Sequence, residues 1–178
     1  MVNIKPAIFL DRDGVLTVEN SYVCSMEQMK IFSYARECIA EIHQKGYYAI
    51  VITNQSGVAR GLFTEEVLQE MNQKLIQETG ADAIYYCPHY PQGIVEKYSI
   101  ECNCRKPKTE LIEKACKDFQ IDLSGSYMVG DRASDILTGI NMGIKTVLLE
   151  SGYGSERMEM NVEPDYILDN LKSFVELL

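Results

Sequence analysis

Three short apolar runs in this chain each lead into a cluster of oxygen-bearing polar side chains. AIFL (residues 7–10) runs into DRDG (11–14), YYAIVIT (47–53) into the segment TNQSG (53–57), and SYMV (126–129) into GDRASD (130–135). Runs of this length without polar alternation suit strands buried on both faces, as in a parallel sheet covered by helices. Amphipathic stretches lie between them. Ala35, Cys38, Ile39 and Ile42 share one face of a helix from about residue 34 that stops at Gly46. Thr64 caps a second helix with Glu65 and Glu66 in its first turn, Leu68, Met71 and Leu75 inside, and Gly80 at its end. A third strand is expected at 83–86, followed by an irregular segment to Pro107 and a helix on Leu111, Ile112, Ala115, Cys116 and Phe119. A helix at 134–141, a fifth strand at 145–149, an edge strand at 166–168 and a last helix from Asp169 complete the pattern. The fold class is α/β: one Rossmann-like, three-layer domain over residues 1–178 with a parallel sheet.

Neither the gap after Asp13 nor the one before Lys106 can hold an independent folding unit, which needs ~40 residues or more. A large cap domain is therefore not expected. In open parallel sheets ligands bind beyond the carboxyl ends of the strands, so the three polar clusters should converge on one crevice.

Composition narrows the partners. The net charge of −9 over 178 residues argues against a general nucleic-acid or membrane-surface binder, since both require a basic face. No apolar run approaches the roughly 18 residues of a membrane span, and the N-terminus lacks a signal-peptide pattern. A cytoplasmic protein, monomeric for want of any contrary signal, is the expectation. In that compartment thiols stay reduced, and clustered cysteines suggest metal ligands before disulfides.

Asp11 and Asp13 lie two apart on an extended segment, so both carboxylates can face one reacting centre. Two such neighbours need a cation or a shared proton to coexist. Asp131 and Asp135 offer further hard oxygen ligands, and so few protein ligands suit magnesium better than calcium. The plain alternative is a turn, because Asp and Gly are common turn residues. Lys106 could place an ammonium against phosphoryl oxygens, or could be an ordinary solvated lysine. Thr53 and Asn54, where the second strand ends, can donate to the same phosphate.

A second constellation is Cys87-Pro-His89 followed after 12 residues by Cys102-Asn-Cys104. Three thiolates and one imidazole make the donor set of a closed, tetrahedral zinc site. A redox pair or chance clustering are the competing readings. Zinc would stiffen a loop with few apolar residues of its own and hold Arg105 and Lys106 in place. His43 and the isolated Cys38 and Cys116 read as structural, the first on the surface and the other two in the core.

The order DRDGVL, TN, RKP and GDRASD resembles the haloacid dehalogenase superfamily of phosphohydrolases, over about residues 7–150. The resemblance implies that Asp11 is a nucleophile attacking phosphorus and Asp13 the general acid/base. It implies that Thr53 binds phosphate, that Lys106 clamps it, and that Asp131 holds magnesium beside Asp11 and the backbone carbonyl of Asp13. Asp135 would stand behind them. The loop CPHYPQG…CNCRKPK is similar to that of capless, zinc-bearing members that dephosphorylate D-glycero-D-manno-heptose 1,7-bisphosphate at C7. The histidinol-phosphate phosphatases share CPH and CxCRKPK with a shorter interval, and provide the alternative substrate. A third reading is a non-enzymatic module derived from a phosphatase, against which the intact Asp11, Asp13, Lys106 and Asp131 speak. A second sugar phosphate would need cations away from the reacting centre, for which Arg60 and Arg105 are the choices, with Lys108 a further one.

Overall fold

All four residues of β1 (Ala7–Leu10) are buried, because this strand lies inside a sheet covered on both faces. It pairs in parallel with β2 (Tyr48–Asn54) on one side and β4 (Tyr127–Gly130) on the other. β3 (Ala83–Cys87) flanks β2, while β5 (Lys145–Leu149) and β6 (Tyr166–Leu168) extend the sheet beyond β4. The strand order is β3-β2-β1-β4-β5-β6, all parallel, in a computed structural model that describes residues 4–154 and 161–178. The order reverses between β1 and β4, and this switch point opens a crevice at their carboxyl ends.

Alternate residues of β1 serve opposite faces, as strand geometry requires. Ile8 and Leu10 join one apolar cluster with α1 (Ala35–Gln44), α2 (Glu65–Thr79) and α5 (Leu171–Leu177). Ala7 and Phe9 join the other, against α3 (Glu110–Asp118); α4 (Ala133–Met142) covers β4 and β5, with Gly139 packed close to Thr146 and Met128. Truncating a fully enclosed residue such as Phe9 to Ala would cost about 3–5 kcal/mol. Thr64 caps α2 by accepting from the Val67 amide at 3.4 Å, and Gly80 ends it in the left-handed region at φ 83°.

The expected elements are present, with shifted ends. β3 runs one residue further than its apolar pattern and takes in Cys87, which pairs with Asn54 of β2. The last helix begins at Leu171, since Asn170 rather than Asp169 caps it. His43 is on the surface but is not idle: its Nε2 lies 2.9 Å from Asp82, whose carboxylate also accepts from the Ala49 amide. Cys38 is buried as expected, whereas Cys116 is only half-buried at the edge of its cluster. Among the described residues no helix is long and apolar enough to cross a membrane.

Candidate active site

Asp11 follows β1 directly, and its amide still donates to the Val129 carbonyl of β4 at 2.9 Å. The chain then turns back: the Leu16 and Thr17 amides both reach the Arg12 carbonyl. Gly14 makes this turn at φ 83°, and a Cβ there would run into the Asp131 carboxylate. Only glycine meets both conditions.

Lys106 is buried; its ammonium donates to the Ile52 carbonyl at 2.8 Å and forms ion pairs with Asp11 Oδ1 at 2.8 Å and Asp135 Oδ1 at 2.6 Å. Desolvation would lower its pKa, but the carboxylates of Asp11 and Asp135 outweigh this and raise it. The Asn54 side chain grips the Lys106 backbone, donating to its carbonyl at 3.2 Å and accepting from its amide at 3.0 Å. Asn54, expected on a phosphate, thus has its side-chain oxygen and one amide hydrogen on the lysine backbone, with a second amide hydrogen to spare. Thr53 is buried, and its hydroxyl accepts from Gln55 Nε2 at 3.0 Å.

Asp11, Asp131 and Asp135 each offer a carboxylate oxygen within 4.8 Å of the other two. Asp131 Oδ2 accepts from the Tyr153 amide at 2.8 Å, whereas its Oδ1 is buried without a partner. Burial first, then Lys106 in opposition and Asp135 in support, set the Asp11 pKa at about 6. Burial and the charges of Asp11 and Asp135 push Asp131 to about 8. Clustered carboxylates with an orphaned buried oxygen suit a hard divalent cation.

The Asp13 side chain does not join that trio. Arg12 grips it, with Nη2 at 2.9 Å, while Gln55 Nε2 donates at 3.0 Å and Thr17 Oγ1 at 2.9 Å. Burial alone would raise its pKa, but the Arg12 charge and these three donors hold it below the usual carboxylate range. Arg12, just 1% exposed, also reaches Gln55 Oε1 at 3.0 Å. Arg12 and Gln55 had no sequence signal, because arginine is almost never read as a core residue.

Asp11, Asp13, Thr53, Asn54, Arg60, Arg105, Lys106 and Asp135 line one cleft of about 350 Å³. The Arg60 and Arg105 guanidinium carbons lie 4.0 and 5.3 Å from the centre of the Tyr90 ring. Glu19 and Arg132 also line the cleft and pair at 3.7 Å. Lys108 does not line this cleft: its ammonium donates to the Cys102 carbonyl at 2.6 Å.

The four donors of the second constellation come together. Cys87 and Cys102 Sγ are 3.6 Å apart, Cys102 and Cys104 3.4 Å, and His89 Nδ1 is 3.3 Å from Cys104 Sγ. Ligands about 2.0–2.3 Å from a tetrahedral zinc are spaced roughly 3.5–3.8 Å from one another, close to these distances. Disulfide sulfurs would be about 2.05 Å apart, and all four thiol and imidazole groups could instead hold one metal ion.

A family profile of HAD-hydrolase-like proteins matches residues 103–174. The D-glycero-beta-D-manno-heptose-1,7-bisphosphate 7-phosphatase of Haemophilus ducreyi is 38% identical over 96% of this chain and 97% of its own. The chain belongs to the haloacid dehalogenase-like phosphatases. As a member it is a phosphomonoester hydrolase. The like-named protein of Escherichia coli K12 is 37% identical, covering 96% of this chain and 92% of its own. Among solved structures, the D,D-heptose 1,7-bisphosphate phosphatase of B. bronchiseptica, complexed with magnesium and phosphate, superposes with TM-score 0.82. It is 28% identical and covers 97% of each chain. The HAD-like fold with one parallel sheet, expected from the sequence, agrees with these relatives.

Proposed function

We propose that this chain removes the C7 phosphate of D-glycero-D-manno-heptose 1,7-bisphosphate through an aspartyl-phosphate on Asp11. The supporting observation is that one cleft contains both the Asp11–Lys106 pair and the two arginines at Tyr90. A bisphosphate needs cations for the phosphate that does not react, and Arg60 and Arg105 supply them. The relatives at 38% and 37% identity are named for the β anomer, and β is the anomer proposed.

Asp11 attacks as the carboxylate, forming an O–P bond to the phosphorus of the C7 phosphate as the sugar oxygen leaves. Asp13 gives that oxygen a proton, then takes one from the water that attacks the aspartyl-phosphate. Inorganic phosphate departs and Asp11 is restored. In the free protein Asp13 is anionic; the approaching phosphate dianion raises its pKa, so that it takes up from solvent the proton it passes to the sugar oxygen. Thr53 donates its hydroxyl to the phosphate, with Asn54 holding Lys106 and its backbone close by.

Asp11, Asp131 and the Asp13 carbonyl, with Asp135 behind them, would hold magnesium, which would supply positive charge against the phosphoryl oxygens. Zinc suits Cys87, His89, Cys102 and Cys104; four protein donors leave no open position, which makes this metal structural. The remaining expectations complete the proposal: residues 1–178 as one domain, a cytoplasmic monomer, and no nucleic-acid or membrane partner.

The test is kcat/KM with magnesium for the α and β anomers of heptose 1,7-bisphosphate, with histidinol phosphate alongside. A clear preference for the β bisphosphate is expected. Faster turnover of histidinol phosphate would overturn the substrate while keeping the chemistry.

A further inference from the structure

We infer that Tyr90 is a positioning residue whose ring sets the spacing of the Arg60 and Arg105 guanidiniums, and through it the preference for two phosphates over one. The inference rests on the bisphosphate reading above. Three separate segments meet at this ring. Arg60 lies in the turn after β2, Arg105 directly precedes Lys106, and Tyr90 directly follows His89.

Two guanidinium cations in one small cleft repel each other. An aromatic ring attracts both, and so allows them to share the space. A free arginine side chain also carries considerable rotamer entropy. Stacking removes part of that freedom before any ligand arrives. The backbone reinforces the arrangement: the Ile94 and Val95 amides both donate to the Ala59 carbonyl, at 2.8 and 3.0 Å, beside Arg60. The Tyr90 amide donates to the Tyr98 carbonyl at 3.0 Å, and Arg105 Nη1 donates to the His89 carbonyl at 3.3 Å.

The arginines keep unused capacity. Arg60 Nε is buried and has no partner. A buried donor left unpaired is costly, and an anionic oxygen from a ligand would relieve it. Arg105 uses one of its nitrogens on the His89 carbonyl and presents the rest of its fork to the cleft it lines. A second phosphate is an acceptor of the right charge and shape for two such forks.

The experiment compares a heptose 1,7-bisphosphate with an aryl monophosphate on the full-length enzyme and on Tyr90→Ala, Tyr90→Leu and Tyr90→Phe. Thermal unfolding of each variant separates loss of the fold from loss of selection. Tyr90→Ala and Tyr90→Leu should lower the bisphosphate-to-monophosphate ratio of kcat/KM about tenfold, chiefly through the bisphosphate KM. Tyr90→Phe keeps the ring and should keep the ratio. On an Arg60→Ala background Tyr90→Ala should lower the ratio much less, since one of the two groups it spaces is gone. If the wild type prefers the bisphosphate and Tyr90→Ala keeps the full ratio, the role assigned to Tyr90 is wrong and the function stands. A tenfold fall shared equally by both substrates also overturns it. No bisphosphate preference in the wild type removes the substrate reading and this inference together.

Discussion

Lys106 lies 2.6 Å from Asp135, nearer than the 2.8 Å that separates it from Asp11. The lysine thus lies between the proposed nucleophile and the carboxylate placed behind the metal site. Asp135 in addition accepts from the Arg132 amide at 3.0 Å, closing the first turn of α4. Replacing it by Ala leaves a buried ammonium short of one counter-charge. Breaking a buried pair from one side costs about 3–5 kcal/mol. Urea unfolding of Asp135→Ala should show a loss of that size, together with reduced kcat. An unchanged unfolding midpoint would mean that Lys106 re-partners without cost.

Asp13 is assigned a proton transfer in each half of the reaction, and the two halves can be told apart. An aryl phosphate has a good leaving group that needs little protonation, whereas the water of the second half still needs a base. Asp13→Asn should therefore release the phenol in a burst, followed by slow turnover, as phosphorylated enzyme accumulates. Rapid-quench kinetics read this directly. Slow phenol release without a burst would place the defect in the first half.

The acidic trio predicts the pH dependence of the metal-free protein. Asp11 and Asp131 titrate near 3.8 when unfolded but at about 6 and about 8 when folded. Between about pH 4 and pH 8 the folded state therefore retains protons that the unfolded state has released, and stability falls as pH rises. The fall is steepest between about pH 4 and pH 6, where both groups still hold protons in the folded state only. Below about pH 4 it is absent. Added magnesium competes with those protons and should raise the melting temperature more at pH 8 than at pH 5. Calorimetry with and without the ion checks both slopes; a metal-free melting temperature that climbs from pH 5 to pH 8 contradicts the account.

Cys102→Ser removes one of four converging donors. Metal analysis should find about one zinc per chain in the wild type and much less in the variant. Melting temperature should fall with it, because metal binding of this kind contributes directly to folding. Purified wild-type protein without zinc, prepared without chelators, would reject the assignment.

The strands were readable because burial on both faces writes itself as unbroken apolar runs, as in AIFL and KTVLL. The ends of strands were less so. Cys87 belongs to β3 through its pairing with Asn54, a contact between segments that no local pattern encodes. The acidic and cationic residues of the site were legible by their types and order after strands. Their supports were not. Asn54 turned out to hold the Lys106 backbone, and Arg12 to sit almost wholly enclosed beside Asp13. Both depend on where a side chain points after folding, and the usual habits of Asn and Arg suggest otherwise. Tyr90 was invisible for a similar reason: its neighbours at the ring, Arg60 and Arg105, come from 30 and 15 positions away.

β3 is the outermost strand on its side of the sheet, and the segment that follows it carries Tyr90 and Arg105. The proposed nucleophile and its acidic neighbours follow the interior strands β1 and β4 instead, although Lys106 shares the edge segment with Arg105 and Arg60 follows β2. Much of what is proposed to choose the substrate thus hangs from the edge of the sheet, tied to the centre through Lys106. Residues 90–101 can change in length or character without disturbing the two central strands, provided Asn54 keeps its grip on Lys106. Selectivity in such a protein is free to drift while its reaction stays fixed.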